Sequence, residues 1–153
     1  MNLKQMLNDI KSKSKLSTNK IIVGILNKKV LEFLEYKNIT VYTKEIYLNH
    51  KGLSHLRRES KKQRGAGLSE EDILKIPYIL KNPSVVLFDN AKNKLNLLYC
   101  LEKSNKCSKY IKLVIDTKYK RKKESLTLIK TAGYIEKSNL KGYEIIYGNV
   151  ESR

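Results

Sequence analysis

The sequence predicts an α+β fold in which N-terminal helices pack on a roughly four-stranded antiparallel meander sheet formed by the second half of the chain. Three observations carry this. Up to Asn82-Pro83 several apolar sets recur at helical spacing, as in Leu3, Met6, Leu7 and Ile10, and again in Ile73, Ile76, Ile79 and Leu80. Beyond that point the period shortens to continuous or alternating apolar runs, as in Val85-Val86-Leu87-Phe88 and in Ile111, Leu113 and Ile115. The later runs are joined by short turns, which favours neighbouring antiparallel strands. A chain of 153 residues can support one core, because at this size roughly 70% of the surface goes inside.

Taken in order, Leu3 to Ile10 reads as a short amphipathic helix flanked by lysines. Ile21, Ile22, Val23, Ile25 and Leu26 suit a strand, Val30 to Leu34 a helical turn, and Ile39 to Tyr42 a short β-branched and aromatic strand. From Glu45 to about Lys61 the offsets of Ile46, Leu53 and Leu56 predict a basic helix with a possible break at Gly52, followed by a Gly65-Ala66-Gly67 link. Ser69 before Glu70, Glu71 and Asp72 is an N-cap signal with acids in the first turn, and the helix it opens ends at Asn82-Pro83. The runs at 85–88 and 95–101 form a hairpin across Asp89 to Asn93. Two further strands, Tyr110 to Asp116 and Leu126 to Ile129, flank the basic stretch from Lys118 to Lys123. The tail from Gly142 to Tyr147 has no assigned element. Residues 1–38 read as an N-terminal helical and strand extension, and 39–150 as the main domain.

The formal net charge is +17, from 32 Lys and Arg against 15 Asp and Glu, so a positive potential covers most of the surface and concentrates polyanions near it. Only five of the basic residues are Arg, and the chain is rich in Lys, Asn and Ile, a composition that A/T-rich codon usage also produces. The placement of the charges therefore carries more than their sum. A nucleic acid, RNA before DNA, is the expected partner. No apolar run has the length of a signal peptide or a membrane span, so no membrane partner is expected. Cys100 and Cys107 fit neither a disulfide framework nor a four-ligand zinc site and read as free thiols of a cytoplasmic protein.

From Ile39 to about Ile135 the chain resembles the phage-associated branch of the Barnase/EndoU/colicin/RelE-like nuclease superfamily. The resemblance rests on Ile39-Thr40-Val41-Tyr42, the helical region with His50 and His55, and the phrase from Ile76-Pro77-Tyr78-Ile79-Leu80 through Asn82-Pro83 to Val85-Val86. It continues through the hairpin, the strand containing Lys112, and the last strand running into Thr131-Ala132-Gly133-Tyr134. It covers roughly two thirds of the chain. It implies a small helix-plus-sheet fold whose members are mostly RNases, commonly metal-independent, and often toxins or parts of mobile elements. It also implies that Thr131 and Tyr134 occupy the strand-end position of polar site residues.

Metal-free RNA cleavage needs a base for the ribose 2′-OH, an acid for the leaving 5′ oxygen, and cations for the phosphorane. His50 and His55 are the only histidines, and histidine titrates nearest neutral pH. Five residues apart, they point about 140° from each other on a continuous helix. Arg57 and Arg58 follow His55 and can hold a phosphate bidentately. Lys112 projects from the strand face opposite Ile111 and Leu113. Candidate catalytic residues are thus His55, His50, Lys112, Thr131 and Tyr134. Candidate nucleic-acid contacts are Lys51, Arg57, Arg58, Lys61, Lys62 and Arg64 on the basic helix, with Lys118, Lys120, Arg121, Lys122 and Lys123 on the basic loop.

Ordinary surface and turn chemistry explains several of these equally well. Glu59 and Asp116 are possible bases, although a lone Glu on a basic helix usually pairs with a cation. No metal-binding constellation is present in the sequence, no cofactor is expected, and Gly65-Ala66-Gly67 lacks the Lys-Ser/Thr of a phosphate loop. Three functions stay open: a metal-independent, toxin-like endoribonuclease, a noncatalytic nucleic-acid-binding module, and a basic protein that docks an acidic antitoxin or immunity protein.

Overall fold

A computed structural model of the protein describes residues 2–13, 19–61, 67–91, 94–103 and 109–149. The opening helix α1, Leu3–Lys11, begins with a reciprocal cap: Gln5 N donates to the Asn2 side chain, and Asn2 N donates to the Gln5 side chain. Strand β1, Lys20–Ile25, and helix α2, Lys28–Tyr36, follow. Asn27 caps α2 by accepting from Val30 N.

The next two expectations are corrected. Residues 39–44 form no strand; Tyr42 N donates to Thr117 O at 3.3 Å, while Thr43 accepts two hydrogen bonds from Thr127, from its N–H and from its hydroxyl. The strand is β2, Glu45–Asn49, inside the stretch expected to be helical. Ile46 and Leu48 are fully buried and the residues between them are not, so a period of two governs this stretch. The helix α3 starts only at His50 and runs unbroken to Lys61. Asn49 sets that boundary by accepting from Gly52 N at 2.7 Å. A Cβ on Gly52 would lie 3.0 Å from the same Asn49 oxygen, so the glycine gives the cap room rather than breaking the helix.

Ser69 caps as expected, by accepting from Asp72 N. The single helix predicted after it is two: α4, Glu70–Leu74, and α5, Ile76–Lys81, which meet at Lys75. Pro77 has no N–H to donate to the carbonyl four residues back and sits comfortably only in a first turn, so a new helix starts beside it.

The strands β3 (Val85–Asp89), β4 (Asn96–Glu102), β5 (Lys109–Arg121) and β6 (Glu124–Glu136) form the expected meander. The sheet nevertheless has seven strands, not four, in the order β1-β2-β6-β5-β4-β3-β7. At one side, β2 joins β6 in parallel through Ile46 opposite Thr127 and Tyr47 opposite Leu128, and carries β1 with it. At the other, the unassigned tail supplies a 3-10 turn, Lys137–Leu140, and strand β7, Glu144–Gly148, antiparallel to β3. The basic stretch expected as a loop is mostly strand: β5 runs through Arg121 and turns over Lys122 and Lys123 alone, with Lys122 at φ 53°.

The five α-helices among the described residues cover one face of the sheet. Met6, Val30, Leu34, Leu53, Leu56, Ile73, Ile76 and Ile79 form one core with Ile46, Leu48, Val86, Leu97, Ile111, Leu113, Ile115 and Ile129. Each such side chain contributes about 1.5–3 kcal/mol by leaving water. On the opposite face a smaller cluster of Val85, Leu87, Leu98, Cys100, Tyr110 and Val114 is closed by Leu140, Ile135 and Tyr143. That cluster covers the β3 to β5 side of the face.

Two mutations test the packing. A Cβ on Gly24 would lie 2.8 Å from Leu80 Cδ1 and 3.0 Å from Leu80 Cβ, where β1 meets α5. Gly24→Ala is therefore expected to cost about 1–2 kcal/mol, read as a lower urea midpoint. The Tyr99 hydroxyl is buried with no hydrogen-bond partner among the described residues, and burial raises its pKa. Removing an unsatisfied polar atom removes its desolvation penalty. Tyr99→Phe is expected to leave the midpoint unchanged or raise it, and a loss above about 1 kcal/mol would show that the hydroxyl is satisfied after all.

Candidate nucleic-acid interface

The open side of the uncovered face ends in a groove of about 570 Å³ where three segments converge. The first is the start of β1, with Asn19 and Lys20; the second is the junction of β2 and α3, with Asn49, His50 and Lys51. The third is the tip of the β5–β6 hairpin, with Tyr119, Arg121, Lys122, Lys123 and Glu124, while Leu126 and Leu128 form the floor. His50 N donates to Asn19 O at 2.7 Å, which fixes the head of α3 against the first segment. Lys20 forms an ion pair with Glu124, which ties the first segment to the hairpin.

The groove thus holds five cations, one carboxylate and one histidine among its described lining residues. The N-terminus of α3, a helix of 12 residues, adds its partial positive charge at the same place. An anion entering here meets Lys20, Lys51, Arg121, Lys122 and Lys123 together, with His50 beside them. An irregularity in the β5–β6 register lies between Asp116 and Tyr119, just before the end of β5 that lines this groove. Asp116 stabilises it by accepting from Lys118 N at 2.8 Å, so this carboxylate has a structural partner.

The sequence candidates are distributed over three places. His50, Lys51, Arg121, Lys122 and Lys123 come together in the groove, while Lys118 and Lys120 are exposed on the same hairpin. His55 and Arg58 are exposed further along α3 and do not line the groove; Arg57 is half-buried, with its Nε lacking a partner among the described residues. Because α3 is unbroken, His50 and His55 do not face one point.

Lys112 and Thr131 lie on the same sheet face as the groove floor, but farther down the strands. Thr131 is opposite Val114 and Lys112 is opposite Gly133 and Cys100. Seven residues separate Lys112 from Tyr119 on β5, roughly 20 Å along a strand. Burial pushes the Cys100 thiol up to about 12, despite the opposing pull of the Lys112 charge, which leaves it protonated and inert as a nucleophile.

Tyr134 is on the helix-covered face, opposite Ile111. Its hydroxyl donates to Asp72 of α4 and accepts from Ser69 N at 3.2 Å, and the Lys103 ammonium lies 4.8 Å from its ring centroid. Asp72 also receives Lys103 at 3.2 Å and Lys75 at 3.3 Å. Burial alone would raise the Asp72 carboxyl, but the hydrogen bonds from Tyr134 and Lys103, the Lys103 charge and the bond from Lys75 together hold it below its usual value.

Lys62 and Arg64 lie outside the described residues, as does Cys107, and Lys61 is described only in its backbone. Among the described residues no three His, Cys, Asp or Glu side chains gather as metal ligands. None of the described helices is long and apolar enough to cross a membrane.

Over residues 20–142 the chain matches the family described as phage-Barnase-EndoU-ColicinE5/D-RelE like nuclease3. The chain belongs to this family. No curated protein and no solved structure matches it. The family region of this phage nuclease-like protein includes β1, α2 and the whole meander, hence all three walls of the groove save Asn19, and the family implies a nucleic-acid substrate. The sequence alone missed seven groove residues of this nuclease-family member: Asn19, Lys20, Asn49, Tyr119, Glu124, Leu126 and Leu128. Only Asn49 carried a local signal, as an N-cap residue before a helix.

Proposed function

We propose that the protein is a metal-independent endoribonuclease that acts in the groove at the head of α3. The observation that carries this reading is His50 at a helix N-terminus, surrounded by five cations and one carboxylate, in a chain of a nuclease family. In the proposed reaction the ribose 2′ oxygen attacks the adjacent phosphorus, the O2′–P bond forms and the P–O5′ bond breaks. The 2′-OH proton passes to a base and a proton is delivered to the leaving O5′, giving a 2′,3′-cyclic phosphate and a 5′-hydroxyl. His50 serves one of these transfers, and Glu124, the groove carboxylate, serves the other once substrate phosphate displaces it from Lys20. Lys20, Lys51, Arg121 and Lys122 stabilise the negative charge that builds on the phosphorane.

In this reading Lys112 and Thr131, on the same sheet face as the groove floor, border the path of the strand beyond the scissile phosphate. On the same reading the phage association in the family description supports a toxin-like or mobile-element role, and the net charge of +17 would suit an acidic inhibitor as partner. The test is RNA incubated with purified protein in EDTA, which is expected to yield 2′,3′-cyclic phosphate ends. RNA left intact across many substrates sinks the proposal. A second reading, binding without cleavage, draws on the Lys20–Glu124 ion pair, which engages the groove carboxylate. Salt-sensitive binding with no cyclic phosphate product would select it.

A further inference from the structure

We propose that the uncovered sheet face beside the groove is a stacking platform for the unpaired bases of single-stranded RNA, with Tyr47 as its central ring and Tyr119 at its groove end. This rests on the nuclease reading of the groove and names the form of nucleic acid that the site accepts. Residues opposite one another in the register share a face, and one such row runs Ile22, Tyr47, Leu128, Asp116 across β1, β2, β6 and β5. The neighbouring row pairs Leu126 with Tyr119.

The helices cover the other face, and the small cluster closed by Leu140 covers only the β3 to β5 side of this one. Ile22 is accordingly 57% exposed, and Tyr47 is half-buried in a strand whose alternate residues Ile46 and Leu48 are fully buried. The result is an apolar and aromatic strip with a cationic rim, in which Ile22 and Tyr47 are accessible and Leu126 and Leu128 lie buried at the base. Lys20 Nζ lies 6.0 Å from the Tyr47 ring centroid, and Arg121 and Lys122 stand beside Tyr119.

Charge complementarity calls for a polyanion, and the strip calls for one with exposed planar apolar surfaces. Single-stranded RNA offers both, because its phosphates meet the rim while its bases stack on the rings. A duplex keeps its base faces inside and offers only phosphates, which leaves Ile22 and Tyr47 without a contact. An acidic protein segment would satisfy the rim but has no reason to require the ring.

The experiment uses a single-stranded 2′-O-methyl RNA oligonucleotide carrying 2-aminopurine. The methyl group blocks attack by the 2′ oxygen, so binding is read apart from cleavage. Wild type is expected to quench the 2-aminopurine, and Tyr47→Ala to weaken affinity for the single strand by about tenfold or more. Tyr47→Phe keeps the ring and is expected to bind as wild type, and duplex affinity is expected to be unmoved by either change. Unchanged single-strand affinity in Tyr47→Ala, equal losses on strand and duplex, or Tyr47→Phe as weak as Tyr47→Ala would overturn the platform. So would polyglutamate binding as tight as the strand and insensitive to Tyr47. If the unmodified oligonucleotide is cut while the Tyr47 variants bind alike, the platform fails and the nuclease reading stands. If quenching and its Tyr47 dependence hold but no RNA is cut, the nuclease reading fails and the platform stands.

Discussion

His50→Ala is expected to lower the rate of RNA cleavage by about 10²- to 10⁴-fold, the range for losing one positioned proton-transfer group. Two features make the effect readable as chemistry. His50 is exposed, so its side chain adds little to the core. Its backbone N–H, which holds α3 against Asn19, survives the substitution. The melting temperature should therefore stay close to wild type while single-turnover cleavage collapses. His55→Ala is the control, because His55 is exposed outside the groove and is expected to keep near-normal rates. If His55→Ala loses cleavage and His50→Ala does not, the reaction takes place on the far side of α3 and the groove assignment is wrong.

The legible parts of the fold were those with local signals. Ser69 before three acids marked the head of α4, and the change to continuous apolar runs after Asn82-Pro83 marked β3 and β4. The face assignment of Lys112 also held, because Ile111, Leu113 and Ile115 do enter the main core. What failed was decided at a distance. The segment from Glu45 to Asn49 contains Ile46 at a spacing compatible with Leu53 and Leu56, and only the partner strands β1 and β6 make it extended. Strand β7 is short and reads as strand only against β3.

The groove was illegible for the same reason. Lys20 and Glu124 are 104 residues apart and meet through the parallel β2–β6 pairing, which no turn sequence announces. Tyr134 shows the converse, a residue that motif position grouped with Lys112 and Thr131. The register gives Lys112 opposite Gly133 and Tyr134 opposite Ile111, on opposite faces. Alternation along β6 thus separates Tyr134 from Lys112, and the hydroxyl is spent on Asp72.

That contact sets the second large expected effect, on stability. Asp72 has a side chain 4% exposed that gathers Tyr134, Lys103 and Lys75, and so fastens α4 to β6 and to the end of β4. Breaking a buried ion pair by removing one partner costs about 3–5 kcal/mol when the other stays buried. Here Lys103 and Lys75 are 40% and 46% exposed and regain water, while the Tyr134 hydroxyl is left to find another partner. Asp72→Ala is therefore expected to cost less, about 2–3 kcal/mol, measured by urea unfolding at pH 7. The penalty should depend on pH in one direction. The folded carboxyl titrates below its usual 3.8, so its stabilisation is complete above that value and is lost as pH falls through the lower folded one. The gap between wild type and Asp72→Asn should accordingly be largest at neutral pH and narrow below pH 3.8. A gap of constant size across that range would mean that Asp72 acts by shape and hydrogen-bond count alone, with its charge balanced equally well in the unfolded chain.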